Sequence, residues 1–277
     1  MGIGMRMITL VEDSPGNADC GYEHGLSLYV ETERHRLLID SGASEMFIDN
    51  ARVLGVDLEQ VDTVVLSHGH YDHGGGLKAF SEKNPDAAIY VRPSAAAEYY
   101  HLKSDGEKYI GIDKDILRLP QVVIADREMA VDEELFLFSD ITGSKYPSKG
   151  NRELKRREGG VFVQDSFDHE QCLVVTQGDR RTLLSGCAHN GIFNILDRYR
   201  ELFGGMPDIV VSGFHLMQRE DYTNEDIKMI ESIAEALAET GAIFYTGHCT
   251  GQAAYGIMKP IMGERLRPIH SGDVLME

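Results

Sequence analysis

Apolar residues fall along this chain in short runs separated by breaks rich in glycine, aspartate and asparagine. Short runs with many β-branched residues read as strands rather than helices. Arg6 to Glu12, Leu26 to Glu31, Arg36 to Ile39, Val61 to Leu66, Ala88 to Val91, Val122 to Ala125 and Leu135 to Phe138 have this character. Further on, Cys172 to Thr176 and Thr182 to Ser185 flank Gly178-Asp179, the composition of a hairpin turn. Asp208 to Val211 and Ile243 to Tyr245 complete the strands. Helical spacing governs Ser44 to Leu54, Leu77 to Ser81, Ala95 to Tyr100, Ile192 to Leu202 and Asp226 to Glu239. Thr223 stands three residues before Asp226, the spacing of a capping box. From Pro93 to about Pro120 the pattern loosens, and this stretch reads as an insertion near a pocket. Further on, 142–160 gathers Lys145, Lys149, Arg152, Lys155, Arg156 and Arg157, either as a solvated loop or as a clamp for an anion.

Length and charge narrow the field. The chain has 277 residues, enough for one large α/β domain or two small ones with a substantial core. A net charge of −18 argues against a track for nucleic-acid phosphates, which needs clustered cations. It leaves room for an anionic small molecule, because a bound metal and nearby cations set the potential inside a pocket. No apolar run approaches the roughly 20 residues that cross a bilayer. Cys20, Cys172, Cys187 and Cys249 show no C-x-x-C spacing, so neither a zinc ribbon nor a disulfide framework is expected, and a reduced, cytoplasmic setting fits.

The chemistry concentrates in Ser67-His68-Gly69-His70-Tyr71-Asp72-His73-Gly74-Gly75-Gly76, directly after a strand. A single loop histidine is usually solvated or a packing residue. An H-x-H-x-D-H tract on a glycine-rich turn instead offers neutral imidazoles and a carboxylate, donors suited to zinc, iron, manganese or nickel. His68 and His70 lie on one side of an extended segment, and the turn brings Asp72 and His73 to a neighbouring point. Three later strands each end in a small-residue turn carrying a histidine: His189, His215 and His248. Ligands in α/β folds gather beyond strand C-termini, so these residues are expected to share an edge with the His68–His73 loop.

The tract resembles the signature of the metallo-β-lactamase superfamily. Similarity to one group within it extends over nearly the whole chain, through Glu23-His24-Gly25-Leu26-Ser27, Leu38-Ile39-Asp40-Ser41-Gly42, Ser185-Gly186-Cys187-Ala188-His189-Asn190-Gly191, Gly213-Phe214-His215-Leu216 and Gly247-His248-Cys249-Thr250-Gly251. Members of that group are named metal-dependent hydrolases or 7,8-dihydropterin-6-methyl-4-(β-D-ribofuranosyl)aminobenzene-5'-phosphate synthases. The resemblance implies an α/β fold, a four-layer αββα sandwich, as a single domain over 1–277 with a pocket-covering insertion at 93–160. It also implies one or two divalent metal ions, with zinc favoured.

On residue chemistry, His68 and His70 would hold one metal, and Asp72 and His73 the other. The resemblance implies that His189 completes the first site and His248 the second. It places Asp40 beneath the metals as a holder of ligand imidazoles, where plain helix capping is the alternative. The superfamily's bridging Asp is replaced here by Gly186-Cys187, so Cys187 is either a thiolate ligand or a small buried residue. His169 competes for the third place on the first metal. His215 fits a substrate or proton-shuttle role, and His24 the pocket rim. Tyr99, Tyr100, His101, Lys103 and Tyr109 are candidates for the pocket wall.

The leading expectation is metal-dependent hydrolysis of an ester, lactone or phosphoester of a small, anionic substrate, with Asp72 and His215 as catalytic residues. The second is transfer joining a hydroxymethyl-dihydropterin to a ribofuranosyl-aminobenzene phosphate, which needs an aromatic pocket from residues such as Tyr99, Tyr100, Tyr109 and Phe214. A metal-dependent sensor is a third. A diiron electron-transfer module usually carries Glu in place of an early His, whereas His70 is intact.

Overall fold

The computed structural model describes residues 4–104, 106–218 and 220–276. Two seven-stranded sheets lie face to face. The first contains β1 (Arg6–Val11), β2 (Ser27–Glu31), β3 (Arg36–Ile39), β4 (Thr63–Val65), β5 (Ala88–Val91), β8 (Val122–Ile124) and, at its other edge beside β1, β18 (Val274–Met276). The second runs from β9 (Glu128–Ala130) through β10 (Leu135–Phe138), β13 (Cys172–Gln177), β14 (Arg180–Leu184), β15 (Ile209–Val211) and β16 (Ile243–Thr246) to β17 (Leu266–Pro268). Strands β3, β4, β5 and β8 are parallel, as are β14 to β17. The remaining neighbours are antiparallel, some of them joined by hairpins such as the β13–β14 turn at Gly178.

Side-chain alternation builds the layers. Leu37 and Ile39 point between the sheets, where they meet Leu137, Leu173, Val175 and Val211, while Leu38 points outward. The outward face of the first sheet packs on Phe47 of α1 (Met46–Val53) and Phe80 of α3 (Leu77–Lys83). The outward face of the second is covered by α4 (Ile192–Phe203), α5 (Asn224–Glu239) and α6 (Gln252–Met262), through Tyr199, Ile230, Leu237 and Met258. A sheet covered on both faces needs strands that are apolar throughout, which is why the central runs show no polar alternation. This is the αββα sandwich. The capping box of α5 forms as its spacing predicts, with Thr223 and Asp226 bonding reciprocally.

The stretch 93–160 is divided between three sheets. Its flanks supply β6 (Tyr99–Lys103), β7 (Gly106–Tyr109) and β11 (Leu154–Glu158) to a small four-stranded sheet completed by β12 (Val161–Gln164) just beyond it, while its middle supplies β8, β9 and β10 to the two large sheets. The helix expected over Ala95 to Tyr100 is a turn followed by β6. Alanines favour a helix only weakly, and pairing of Tyr99 and Tyr100 with Arg156 and Lys155 overrides that preference. Among the described residues no helix is long and apolar enough to cross a membrane.

Candidate metal centre

The C-terminal ends of the parallel strands from both sheets open on one edge of the sandwich. β3 delivers Asp40, and β4 delivers the loop to His68 and His70 and then α2 (Tyr71–Gly74), which carries Asp72 and His73. Beyond β14, β15 and β16 come Cys187 and His189, then His215, then His248. The backbone is left-handed at Asp40, Ala188, His215 and His248, with φ of 58°, 53°, 48° and 46°. Each such residue costs about 1–2 kcal/mol, which the surrounding bonds must offset.

Hydrogen bonds fix where the imidazole protons lie. Buried Asp40 accepts the Ser67 N–H at 2.7 Å on Oδ1, and both the Ser67 hydroxyl and the His73 Nδ1–H at 2.6 Å on Oδ2. Because Ser67 gives its only hydroxyl proton to Asp40, its Oγ can only accept from His68 Nδ1, 2.9 Å away. Asn151 donates through Nδ2 to the His189 carbonyl, so its Oδ1 accepts the His189 Nδ1–H at 3.1 Å. Asp13 accepts the His248 Nδ1–H at 2.6 Å. Every one of these rings therefore turns Nε2 inward, bare wherever the ring is neutral.

Those nitrogens meet in pairs: His68 with His189 at 3.3 Å, and His73 with His248 at 3.2 Å. His70 packs edge-on against the rings of His68 and His189, and its buried Nε2 has no hydrogen-bond partner. The Asp72 carboxylate lies 3.4 Å from His248 Nε2 and 3.9 Å from His73 Nε2. Cys187 Sγ is 3.2 Å from His73 Nε2 and falls within 4.8 Å of donors in both pairs. Facing lone pairs in a buried site repel unless a cation lies between them, so the donor set fits two adjacent divalent ions.

Electrostatics distinguish the two positions. Burial, reinforced by neighbouring imidazoles, pushes His68 and His189 well below the ordinary imidazole value and His70 down to about 3, so these three stay neutral. At His248 burial also opposes charge, but the carboxylates of Asp13 and Asp72 outweigh it and hold the ring well above the ordinary value. Burial works against the Asp72 carboxylate too, yet the imidazoles of His73 and His248 hold it far below the carboxylate range. Burial raises the Cys187 thiol.

His169 stands apart from the His68–His189 pair. Its Nδ1 accepts the Gly69 N–H at 2.9 Å and its Nε2 gives its proton to Asp165 at 3.2 Å, so it shapes the ligand loop with no lone pair to spare. His215 lies beside His189, ring centroids 4.2 Å apart, with a buried Nδ1 that has no partner, on the wall of a pocket of about 560 Å³. His24, His101, Lys103, Lys108 and Lys149 also reach this pocket. The aromatic candidates do not. Tyr99 is fully buried and bonds the Ser94 carbonyl, Tyr100 and Tyr109 pack on each other, and Phe214 packs on Phe244. Tyr71 is the tyrosine that lines the cavity.

Several supporting residues escaped the sequence reading. Glu170, buried, accepts the backbone N–H groups of His189 and Asn190 at 2.7 and 3.0 Å and so holds that turn. Glu12 accepts the His248 N–H and, with Asp13, ends β1 against the β16 turn. Acidic residues after an apolar strand were a visible signal at Glu12 and Asp13; Asn151 and Glu170 offered none.

Comparisons with known proteins agree with this architecture. The family model of the metallo-beta-lactamase superfamily matches residues 21–238. A protein of Methanocaldococcus jannaschii named 7,8-dihydropterin-6-methyl-4-(beta-D-ribofuranosyl)-aminobenzene-5'-phosphate synthase is 29% identical over 98% of this chain and 96% of its own length. The crystal structure of Tm1679, a metal-dependent hydrolase of the beta-lactamase superfamily, superposes with a TM-score of 0.83 at 32% identity, covering 99% of each chain. The metallo-beta-lactamase fold protein YhfI of Bacillus subtilis, at 14% identity and a TM-score of 0.56 over 98% of each chain, shares the fold.

Proposed function

Since the chain belongs to the metallo-β-lactamase superfamily, we propose that it is a metal-dependent hydrolase of a small anionic ester, lactone or phosphoester. The observation that carries this reading is the pairwise meeting of Nε2 atoms at 3.2 and 3.3 Å on the floor of a pocket of about 560 Å³. His68, His70 and His189 would hold the first ion and Asp72, His73 and His248 the second, with Cys187 within reach of both groups. Zinc suits this donor set, as do iron, manganese and nickel. A bound divalent ion supplies Lewis acidity and brings the pKa of water toward neutrality.

The chain's own groups do the rest. Asp72, ionised at neutral pH, orients the attacking water by accepting its hydrogen bond, and the proton of the water passes to solvent. His215, facing the cavity beside His189, holds the proton destined for the leaving group. Lys103, Lys108 and Lys149 stand on the pocket wall beside Glu153 and Glu220, so an acidic protein still offers cations there to an anionic substrate.

Similarity over the full length to the M. jannaschii synthase favours a second reading, dihydropterin transfer. A pterin needs a flat aromatic platform, and of Tyr71, Tyr99, Tyr100, Tyr109 and Phe214 the cavity wall has Tyr71 alone. This weighs toward hydrolysis. The deciding experiment offers metal-loaded protein a panel of phosphodiesters and lactones beside the dihydropterin and aminobenzene-phosphate pair. Hydrolysis without coupling supports the proposal. A coupled product replaces it with the transferase, and metal binding without turnover of either class replaces it with a sensor.

A further inference from the structure

His24 is half-exposed at the pocket mouth, where a histidine is ordinarily a solvated rim residue. Its surroundings are not those of a rim residue. Asp13 uses both carboxylate oxygens on imidazoles, Oδ1 taking the His248 Nδ1–H at 2.6 Å and Oδ2 the His24 Nδ1–H at 2.8 Å. One carboxylate thus sets the tautomer of two rings, whose centroids are 4.9 Å apart. Both rings then aim Nε2 at the same atom: His24 and His248 each lie 3.4 Å from Asp72 Oδ2.

The backbone is built to bring His24 this close. The Gly25 N–H bonds Asp13 Oδ1 at 3.2 Å, and the Leu26 N–H bonds the Asp72 carbonyl at 3.1 Å. A Cβ on Gly25 would lie 2.7 Å from that carbonyl oxygen, so only glycine lets the His24 loop dock on α2. Donors at about 2.0–2.2 Å from a shared ion stand about 3–3.6 Å apart. The spacings of Asp72 to His24, Asp72 to His248 and His73 to His248 are 3.4, 3.4 and 3.2 Å.

We propose that His24 is a ligand of the second metal position, held in place by Asp13, so that this position draws on Asp72, His73, His248 and His24. The inference rests on the metal-dependent reading above and extends it: the two positions differ in donor count, and the richer one is partly assembled by the loop after β1. Asp13 is a positioning residue, since it acts through the two rings it orients.

Cobalt(II) chloride titrated into metal-free protein tests this, read by visible absorption and by equilibrium binding. The parent should bind two equivalents. His24→Ala should keep the first at parental affinity, which also reports that the variant is folded, and weaken the second by at least about tenfold with an altered visible band. Added imidazole should restore that band in His24→Ala, because the vacated place opens to solvent. A second equivalent with unchanged affinity and spectrum overturns the assignment alone. Tighter binding in His24→Ala also overturns it, in favour of an imidazolium paired with Asp72. A parent that binds no cobalt overturns both this inference and the metal-dependent reading.

Discussion

Asp40→Asn isolates the proton accounting at the base of the site. The residue is fully buried, and at φ 58° asparagine is among the few replacements that keep the backbone unstrained. Size and conformation are therefore preserved, and only the donor pattern changes. Asp40 now faces three donors: the Ser67 N–H, the Ser67 hydroxyl and His73 Nδ1–H. An amide offers one oxygen, so its nitrogen must oppose at least one of them. If the nitrogen sits where Oδ1 was, it meets the Ser67 N–H. If it sits where Oδ2 was, it forces His73 to move its proton to Nε2, where it faces His248. Hydrogen bonds to a charged acceptor contribute about 1.5–3 kcal/mol each, so loss of one or two predicts about 2–5 kcal/mol less stability in metal-free protein. Second metal affinity should fall about 10–100-fold, as for other carboxylates that orient ligand imidazoles. Urea unfolding of the metal-free variant and competitive zinc titration measure the two effects. Stability within 0.5 kcal/mol of the parent (about the additivity error of such comparisons) together with unchanged zinc affinity would refute the argument.

Other consequences follow from the same geometry. His189→Ala should lose the first metal equivalent while His215→Ala keeps both and loses turnover, with elemental analysis and kinetics as the readouts; loss of metal in His215→Ala would remove its proton-holding role. The folded-state values of His68, His70 and His189 lie below the ordinary 6.5, so the unfolded chain takes up protons first as pH falls; metal-free protein should lose stability progressively below about pH 6.5, down toward about 3 for His70, in denaturant melts at stepped pH. His24 and His248 are shifted upward by the Asp13 hydrogen bond, against burial, so protons compete there; affinity for the second equivalent should climb as pH rises past 6.5, while the first is nearly flat in that range. Gly186→Ala would put a Cβ 2.2 Å from Ser67 Oγ and 3.0 Å from His68 Nδ1, and Ser67 is pinned by Asp40; a loss of about 1–3 kcal/mol in thermal or urea unfolding is expected, with weaker metal binding at the first position.

Much of this protein was legible in its sequence because the determining forces are local. Strand positions followed from short β-branched runs, and the α5 boundary from the Thr223–Asp226 spacing, since each depends on residues a few positions apart. The H-x-H-x-D-H tract after β4 announced a cluster of donors able to bind a metal for the same reason, as donors within six residues cannot be far apart in space. The recurrence of a histidine after β14, β15 and β16 let parallel-sheet geometry place His189, His215 and His248 on one edge. Ala95 to Tyr100 misled because its alanines speak for a helix, while Tyr99 and Tyr100 pair with Arg156 and Lys155 more than 50 residues away as well as with the nearby β7.

What the tertiary structure alone decided is how the protons are distributed. Asp40 reaches across 27 residues to Ser67 and 33 to His73, Asn151 across 38 to His189, and Asp13 across 235 to His248. A histidine's identity says that it can bind a metal; its tautomer, and hence whether Nε2 is free to do so, depends on which acceptor lies against Nδ1. That acceptor is brought there by the packing of two sheets, and no spacing along the chain encodes it. The same reason separates His169 from His189. Both precede or follow strands in suitable places, but one has spent both nitrogens on Gly69 and Asp165, and the other has one left to give.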